Sequence, residues 1–144
     1  MFETVVIATD GSESAMRGIR TALDVAARFE ATVHAIYVVD ANEIESTPEE
    51  VRADLEAAIE AAGEDALSVV CEEADALDAP AVVTAVREGD PATEIINYGT
   101  EVDADVIAMG TRGRHGEHAF LLGSVAEAVV RRSPIPVLTT RQLE

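Results

Sequence analysis

Lysine is absent from this 144-residue chain, and so is tryptophan. All ten basic residues are arginine, set against 28 acidic ones. A Walker A loop requires a lysine after its last glycine, so that device is excluded. The scarcity of cations also argues against DNA, RNA or anionic lipid as partners, because polyanions need a basic face. The single cysteine, Cys71, can neither close an internal disulfide nor supply a metal cluster. It stands beside Val69 and Val70 in a helical stretch and reads as a small apolar residue. No run approaches the roughly eighteen apolar residues that a membrane span needs. Met1 leads directly into a strand-like segment with no signal-peptide pattern, so a cytoplasmic location without membrane contact is expected.

What is present is a 48% apolar composition under a net charge of −18. One ordinary domain spanning 1–144 is expected, with enough apolar residues for a packed core. Self-repulsion of this size weakens a folded state in dilute buffer. At molar salt the Debye length falls to about 3 Å and the penalty largely disappears. The composition therefore points to a halophilic source.

Hydrophobic periodicity alternates between strand and helix. Residues 3–9 (ETVVIAT) form a β-branched run of strand length, followed by the turn Asp10-Gly11-Ser12. From 13 to 29 the residues Met16, Ile19, Leu23 and Ala26 recur at helical spacing, with Arg17, Arg20, Asp24 and Arg28 opposite. A second strand covers 32–39, and 41–47 reads as a polar connector. Thr47-Pro48-Glu49-Glu50 has the form of a helix start, with Thr47 as the cap. The helix it opens carries Val51, Leu55, Ile59, Ala62 and Ala66 on one face and extends to about Ala76, with Gly63 a weak point. A strand at 81–86, a short helix with Ile95 and Ile96, a buried strand at 105–109, a helix at 125–132 and a strand at 135–140 complete the pattern. Five short strands separated by helices predict a doubly wound parallel sheet.

In such sheets ligands bind beyond the carboxyl ends of the strands. Three segments should meet there: Thr9-Asp10-Gly11, Val38-Val39-Asp40, and the chain from Gly110 onward. The last reads Gly110-x2-Gly113-x9-Gly123-Ser124. Glycine lets backbone amides approach an anion, and a helix opening at Gly123-Ser124 offers unpaired N–H groups and the positive end of its dipole. Ser124 and Glu127 have the spacing of a capping box. Arg112 and Arg114 read equally as phosphate partners or as surface ion-pair residues. His115 and His118, with no clear third ligand, do not make a metal site. His34 reads as a packed or edge residue, and Glu56, Glu60, Glu64 and Asp65 as a solvated face.

These residues resemble the universal stress protein family, and the G-x2-G-x9-GS spacing matches the phosphate loop of its ATP-binding branch. The resemblance runs through VVIATDGSE, YVVD, REGDP, DVIAMGTRGR, LLGSVAEAVV and PIPVL. It implies a three-layer α/β/α fold with a doubly wound, five-stranded parallel sheet, Rossmann-like and similar to the adenine nucleotide alpha hydrolases. It also implies ATP, and because Mg²⁺ binds through phosphates and one or two protein oxygens, that ion is expected with it, Asp10 and Asp40 being candidate outer ligands. Ala8, Thr9 and Asp10 would lie at the adenosine and Val38 at the adenine. Gly110, Arg112, Gly113, Gly123 and Ser124 would lie at the phosphates, flanked by Met109 and Val125. Ala8 stands where some ATP-binding members have proline, a change in loop stiffness rather than chemistry. A homodimer through the last strand, Ile135 to Thr140, is the implied assembly, with a further protein partner unknown.

The expected function is a regulatory ATP-binding protein of the stress response, not an enzyme beyond slow hydrolysis. Two alternatives stand beside it: a nucleotide hydrolase or phosphoryl or adenylyl transferase on the same fold, and a nucleotide-free dimeric interaction module. The charge supplies a test of the first reading. ATP approaches a chain of net charge −18, and salt screens that distant field far more than contacts at a helix start. Calorimetric titration should show ATP affinity rising, or at least holding, from low to molar KCl, and steep weakening would reject the idea.

Overall fold

The computed structural model describes residues 2–79, 81–111 and 123–141. Within them lie β1 (Thr4–Ala8), a single 3-10 turn (Glu13–Ala15), α1 (Met16–Phe29), β2 (Thr32–Asp40), α2 (Ala41–Glu45) and α3 (Glu49–Ala76). β3 (Val82–Gly89), α4 (Pro91–Glu101), β4 (Val106–Gly110), α5 (Ser124–Arg132) and β5 (Val137–Thr140) follow. The five strands form one sheet in the order β3-β2-β1-β4-β5, and every pairing is parallel. This is the Rossmann-like α/β fold the sequence predicts.

The layers follow from alternation along the strands. Val5 and Ile7 of β1 face a core shared with α1, α2 and α3, while Val6 and Ala8 face α4 and α5. β1 and β4 are buried on both faces, which is why their sequences are continuous apolar runs. Among the described residues no helix is long and apolar enough to cross a membrane.

Several local expectations need correction. The connector at 41–47 contains α2, because the Asp40 carboxylate accepts the Asn42 N–H at 2.9 Å and Ile44 is buried in the core. Thr47 does not cap α3. Its hydroxyl donates to the Glu43 carbonyl at 2.8 Å at the end of α2, and Pro48, in extended backbone, takes the cap position. The buried face of α3 is Ile59, Gly63, Ala66, Leu67, Val70 and Ala74, whereas Val51 and Ala62 are exposed. A helix of 28 residues is roughly 42 Å long and outruns the strands it covers, so its first turns carry little of the core. The capping box at Ser124 does not form either: Gly123 is the cap, Ser124 is already helical, and Glu127 pairs with Arg131. β3 runs on to Gly89, and β5 begins only at Val137.

Asp105 ties the start of β1 to the entry of β4. Its carboxylate accepts the N–H groups of Glu3 at 2.7 Å and Thr4 at 3.0 Å, and these hold its pKa below the ordinary 3.8. A carboxyl depressed in the folded state stabilises fully above its unfolded pKa, and that contribution disappears as pH falls through the folded value. Asp105→Asn should therefore lower the thermal midpoint at pH 7, and the gap to the parent should close as pH drops below about 4. Thermal scans from pH 7 to pH 3 in molar KCl check this, and a gap independent of pH would refute it.

Candidate functional site

After β1 the chain enters the α1 layer, and after β4 it continues to α5 on the opposite layer. The carboxyl ends of these neighbours therefore leave a crevice, the switch point of the sheet. A cleft of about 240 Å³ occupies it.

One wall is the turn after β1. The Thr9 N–H donates to the Ile36 carbonyl at 3.1 Å, which extends the ladder by one residue. The buried Thr9 hydroxyl accepts the Gly11 N–H at 3.1 Å. Asp10 Oδ1 accepts from the Ser12 N–H at 2.9 Å and from the Ser12 hydroxyl at 2.5 Å. Gly11 has φ +81°, a conformation that requires glycine and allows this tight return.

The facing wall is made by β4 and α5. A Cβ on Gly110 would stand 2.8 Å from the Ser14 carbonyl oxygen, so only glycine lets the end of β4 pass this close to the 3-10 turn. The Thr111 N–H donates to the Thr140 carbonyl at 2.8 Å, and the Gly123 N–H donates to the Thr111 carbonyl. Those bonds bring the start of α5 beside the end of β4. The first helical bond of α5 runs from the Glu127 N–H to the Gly123 carbonyl. Residues 124, 125 and 126 therefore have no acceptor within the helix for their amides, and all three line the cleft.

Of the residues singled out in the sequence, Ala8, Thr9, Asp10, Val38, Met109, Gly110, Gly123, Ser124 and Val125 line this one cleft. Arg112 and Gly113 lie outside the described residues, as do Arg114, His115 and His118. The sequence reading missed Tyr37, Glu43, Ile59, Pro91 and Ile95. Glu43 was hidden in the supposed connector, and Ile59, Pro91 and Ile95 come from helices flanking the sheet. Their only sequence signal is apolar character, which any core residue shares.

The described lining carries three carboxylates, Asp10, Asp40 and Glu43, and no cationic side chain. It contains no histidine or cysteine. His34 lies elsewhere on β2, where its Nδ1 and the Tyr98 hydroxyl are hydrogen-bonded at 2.8 Å. Burial pushes the imidazole pKa down and the Tyr98 phenol up, and the Arg87 guanidinium stacks 5.0 Å from the Tyr98 ring centre. Half-buried Cys71 on α3 does not line the cleft. Among the described residues no group of three histidine, cysteine or acidic side chains is placed to hold a metal.

Fold and cleft together define a Rossmann-like α/β protein with an open cleft at its switch point. A model of the universal stress protein family matches residues 1–141, and the chain belongs to that family. A universal stress protein of Methanocaldococcus jannaschii is 36% identical over 143 residues, covering 99% of this chain and 84% of the relative. A putative universal stress protein of Staphylococcus saprophyticus is 34% identical over 144 residues, covering 99% and 86%. Among solved structures, the universal stress protein UspA of Lactobacillus plantarum superposes with a TM-score of 0.85 at 26% identity, covering 97% of this chain and 98% of that one. A universal stress protein in complex with cAMP gives 0.72 at 26% identity, covering 99% and 98%.

Gly63 of α3 packs against the Tyr37 ring on the cleft wall. A Cβ there would stand 2.8 Å from a ring carbon of a side chain that is 1% exposed, so the ring or the helix must shift. Gly63→Ala gains about 1 kcal/mol of helix propensity but overpacks this contact at a cost of about 1–3 kcal/mol. The expected result is a net loss of stability in urea unfolding at molar KCl, together with altered Tyr37 fluorescence. A stabilised variant would show that the ring yields freely.

Proposed function

We propose that this chain is an ATP-binding regulatory protein of the stress response and that the cleft at the switch point is its nucleotide site. The observation that carries the reading is the row of amides at residues 124–126, opening α5 onto the cleft beside the close-approach glycine Gly110. Such a helix start favours phosphate through its free N–H groups and its dipole. Apolar residues, Val38, Ile36, Ile59 and Ile95, suit a flat base at the β2 side. The family member solved with cAMP supports an adenine nucleotide as the ligand class.

In this reading Thr9 and Asp10 hold the adenosine. Gly110, Gly123 and Ser124 hold the phosphates, with Arg112 and Gly113 contributing from the connecting loop, and Met109 and Val125 flank them. Mg²⁺ accompanying ATP would offset phosphate charge, with Asp10 and Asp40 as outer oxygen ligands. In this reading the protein acts by binding rather than by rapid turnover of the nucleotide, in the cytoplasm of a high-salt organism. Its dimer forms through the edge strand β5, which covers an open ladder, and nucleotide state governs a protein partner.

Gly123 has φ −64° and ψ 157°, which any residue adopts, so Gly123→Val should leave the fold intact while crowding the phosphate path. We expect at least a tenfold loss of ATP affinity, about 1.4 kcal/mol, with no more than the modest fall in unfolding midpoint that a poorer cap residue brings. Parent-like binding by this variant would remove the phosphate role from the loop. Mass spectrometry of co-purified nucleotide gives an independent reading. Pure protein that binds no ATP at molar KCl would favour a nucleotide-free interaction module.

A further inference from the structure

Away from the cleft, a polar cluster is set into the apolar layer between the sheet and α4. Tyr98 of α4 is 5% exposed, and its hydroxyl lies 2.8 Å from His34 Nδ1 on β2, with the two ring centres 5.6 Å apart. The neighbours of His34 on this face of the sheet, Val6 of β1, Ile36 of β2 and Val83 of β3, carry no charge. Further along, β3 brings Arg87, whose guanidinium stands 5.0 Å from the centre of the Tyr98 ring. α4 brings Glu101, ion-paired to Arg87 at 2.8 Å, and Glu94, which lies against Gly89 one turn before Tyr98. Among the described residues the Tyr98 hydroxyl has no hydrogen-bond partner other than His34.

That hydrogen bond suits one protonation state. A neutral imidazole with its proton on Nε2 accepts the Tyr98 O–H at Nδ1, and the buried hydroxyl is satisfied. A protonated ring carries N–H donors on both nitrogens, so the two groups then meet donor to donor. The phenol oxygen can accept the Nδ1–H only by turning its own proton away, toward no other acceptor among the described residues. The added charge also joins Arg87 at the same phenol ring, where Glu101 is already engaged. Burial opposes the charged imidazole as well and holds the His34 pKa below its ordinary 6.5. We propose that His34 is a proton-operated latch for α4: the neutral ring fastens the helix through Tyr98, and proton uptake releases it. The same helix carries Pro91 and Ile95 into the cleft, so the latch couples acidification to one wall of that cleft. A histidine whose pKa is depressed on folding stabilises fully above its unfolded value, and that contribution is lost as pH falls from there through the folded value.

The test is an NMR titration of the full chain in molar KCl from pH 8 to pH 5, following the His34 ring protons and the amides of α4. His34 should titrate below 6.5, and the amides of Ala92 to Ile95 should shift with the same midpoint. Tyr98→Phe should move the His34 midpoint upward, because the bond that favours the neutral ring is gone. Thermal scans form a second arm, in which His34→Asn keeps an acceptor oxygen near the place of Nδ1 but takes up no proton. Across this pH range the parent should lose about 2 °C or more of thermal midpoint beyond the loss in His34→Asn. The other two histidines are common to both proteins, so the difference belongs to His34. A His34 midpoint at or above 6.5 overturns the proposal, as do α4 amides that ignore its titration. An unmoved His34 midpoint in Tyr98→Phe, or equal pH slopes in parent and His34→Asn, overturns it too. Where a variant fails to fold, the titration of the parent alone decides.

Discussion

Burial of β1 and β4 on both faces is the constraint from which the rest of this structure follows. A strand with apolar side chains on both sides must be covered on both sides, so the helices divide between two layers, α1 to α3 on one and α4 with α5 on the other. Because the connection after β1 enters one layer and the chain after β4 continues to the other, their carboxyl ends part. The cleft is the geometric result. Its placement needs no dedicated residue, only the strand order β3-β2-β1-β4-β5.

Close approach then shapes the space that topology opens. Gly110 passes the carbonyl of Ser14 at a distance no side chain allows, and Gly63 lets α3 settle on the ring of Tyr37. Asp10 and Ser12 lock the turn after β1 through local bonds. These contacts hold the described walls of the cleft in place.

The charge acts on a different scale. The described ion pairs, such as Arg20–Glu73 and Arg87–Glu101, lie at the surface, where solvent screening leaves each little net stability. They offset little of the self-repulsion of a net charge of −18. Inside the cleft the same acidity acts locally. Asp10, Asp40 and Glu43 line it together with the free amides that open α5, so one polyanionic chain presents both repelling and attracting groups there.

The sequence by itself determined the five strands and the longer helices between them, though not α2, together with the parallel α/β class and the glycine positions that line the cleft. Each is written in local periodicity or in a residue whose lack of a side chain is its whole effect. The G-x2-G-x9-GS spacing carried most of the family signal, and the family model confirms that membership. What only the tertiary structure decided is where competing local bonds went. Thr47 could cap α3 or close α2, and Gly123 or Ser124 could open α5; in each case chain direction around the packed sheet chose between near-equal hydrogen bonds. The gathering of Tyr37, Glu43, Ile59 and Ile95 at one cleft is equally a tertiary matter. An apolar or acidic residue says nothing locally about which edge of the sheet it will reach, because that depends on helix length and on the layer its helix joins.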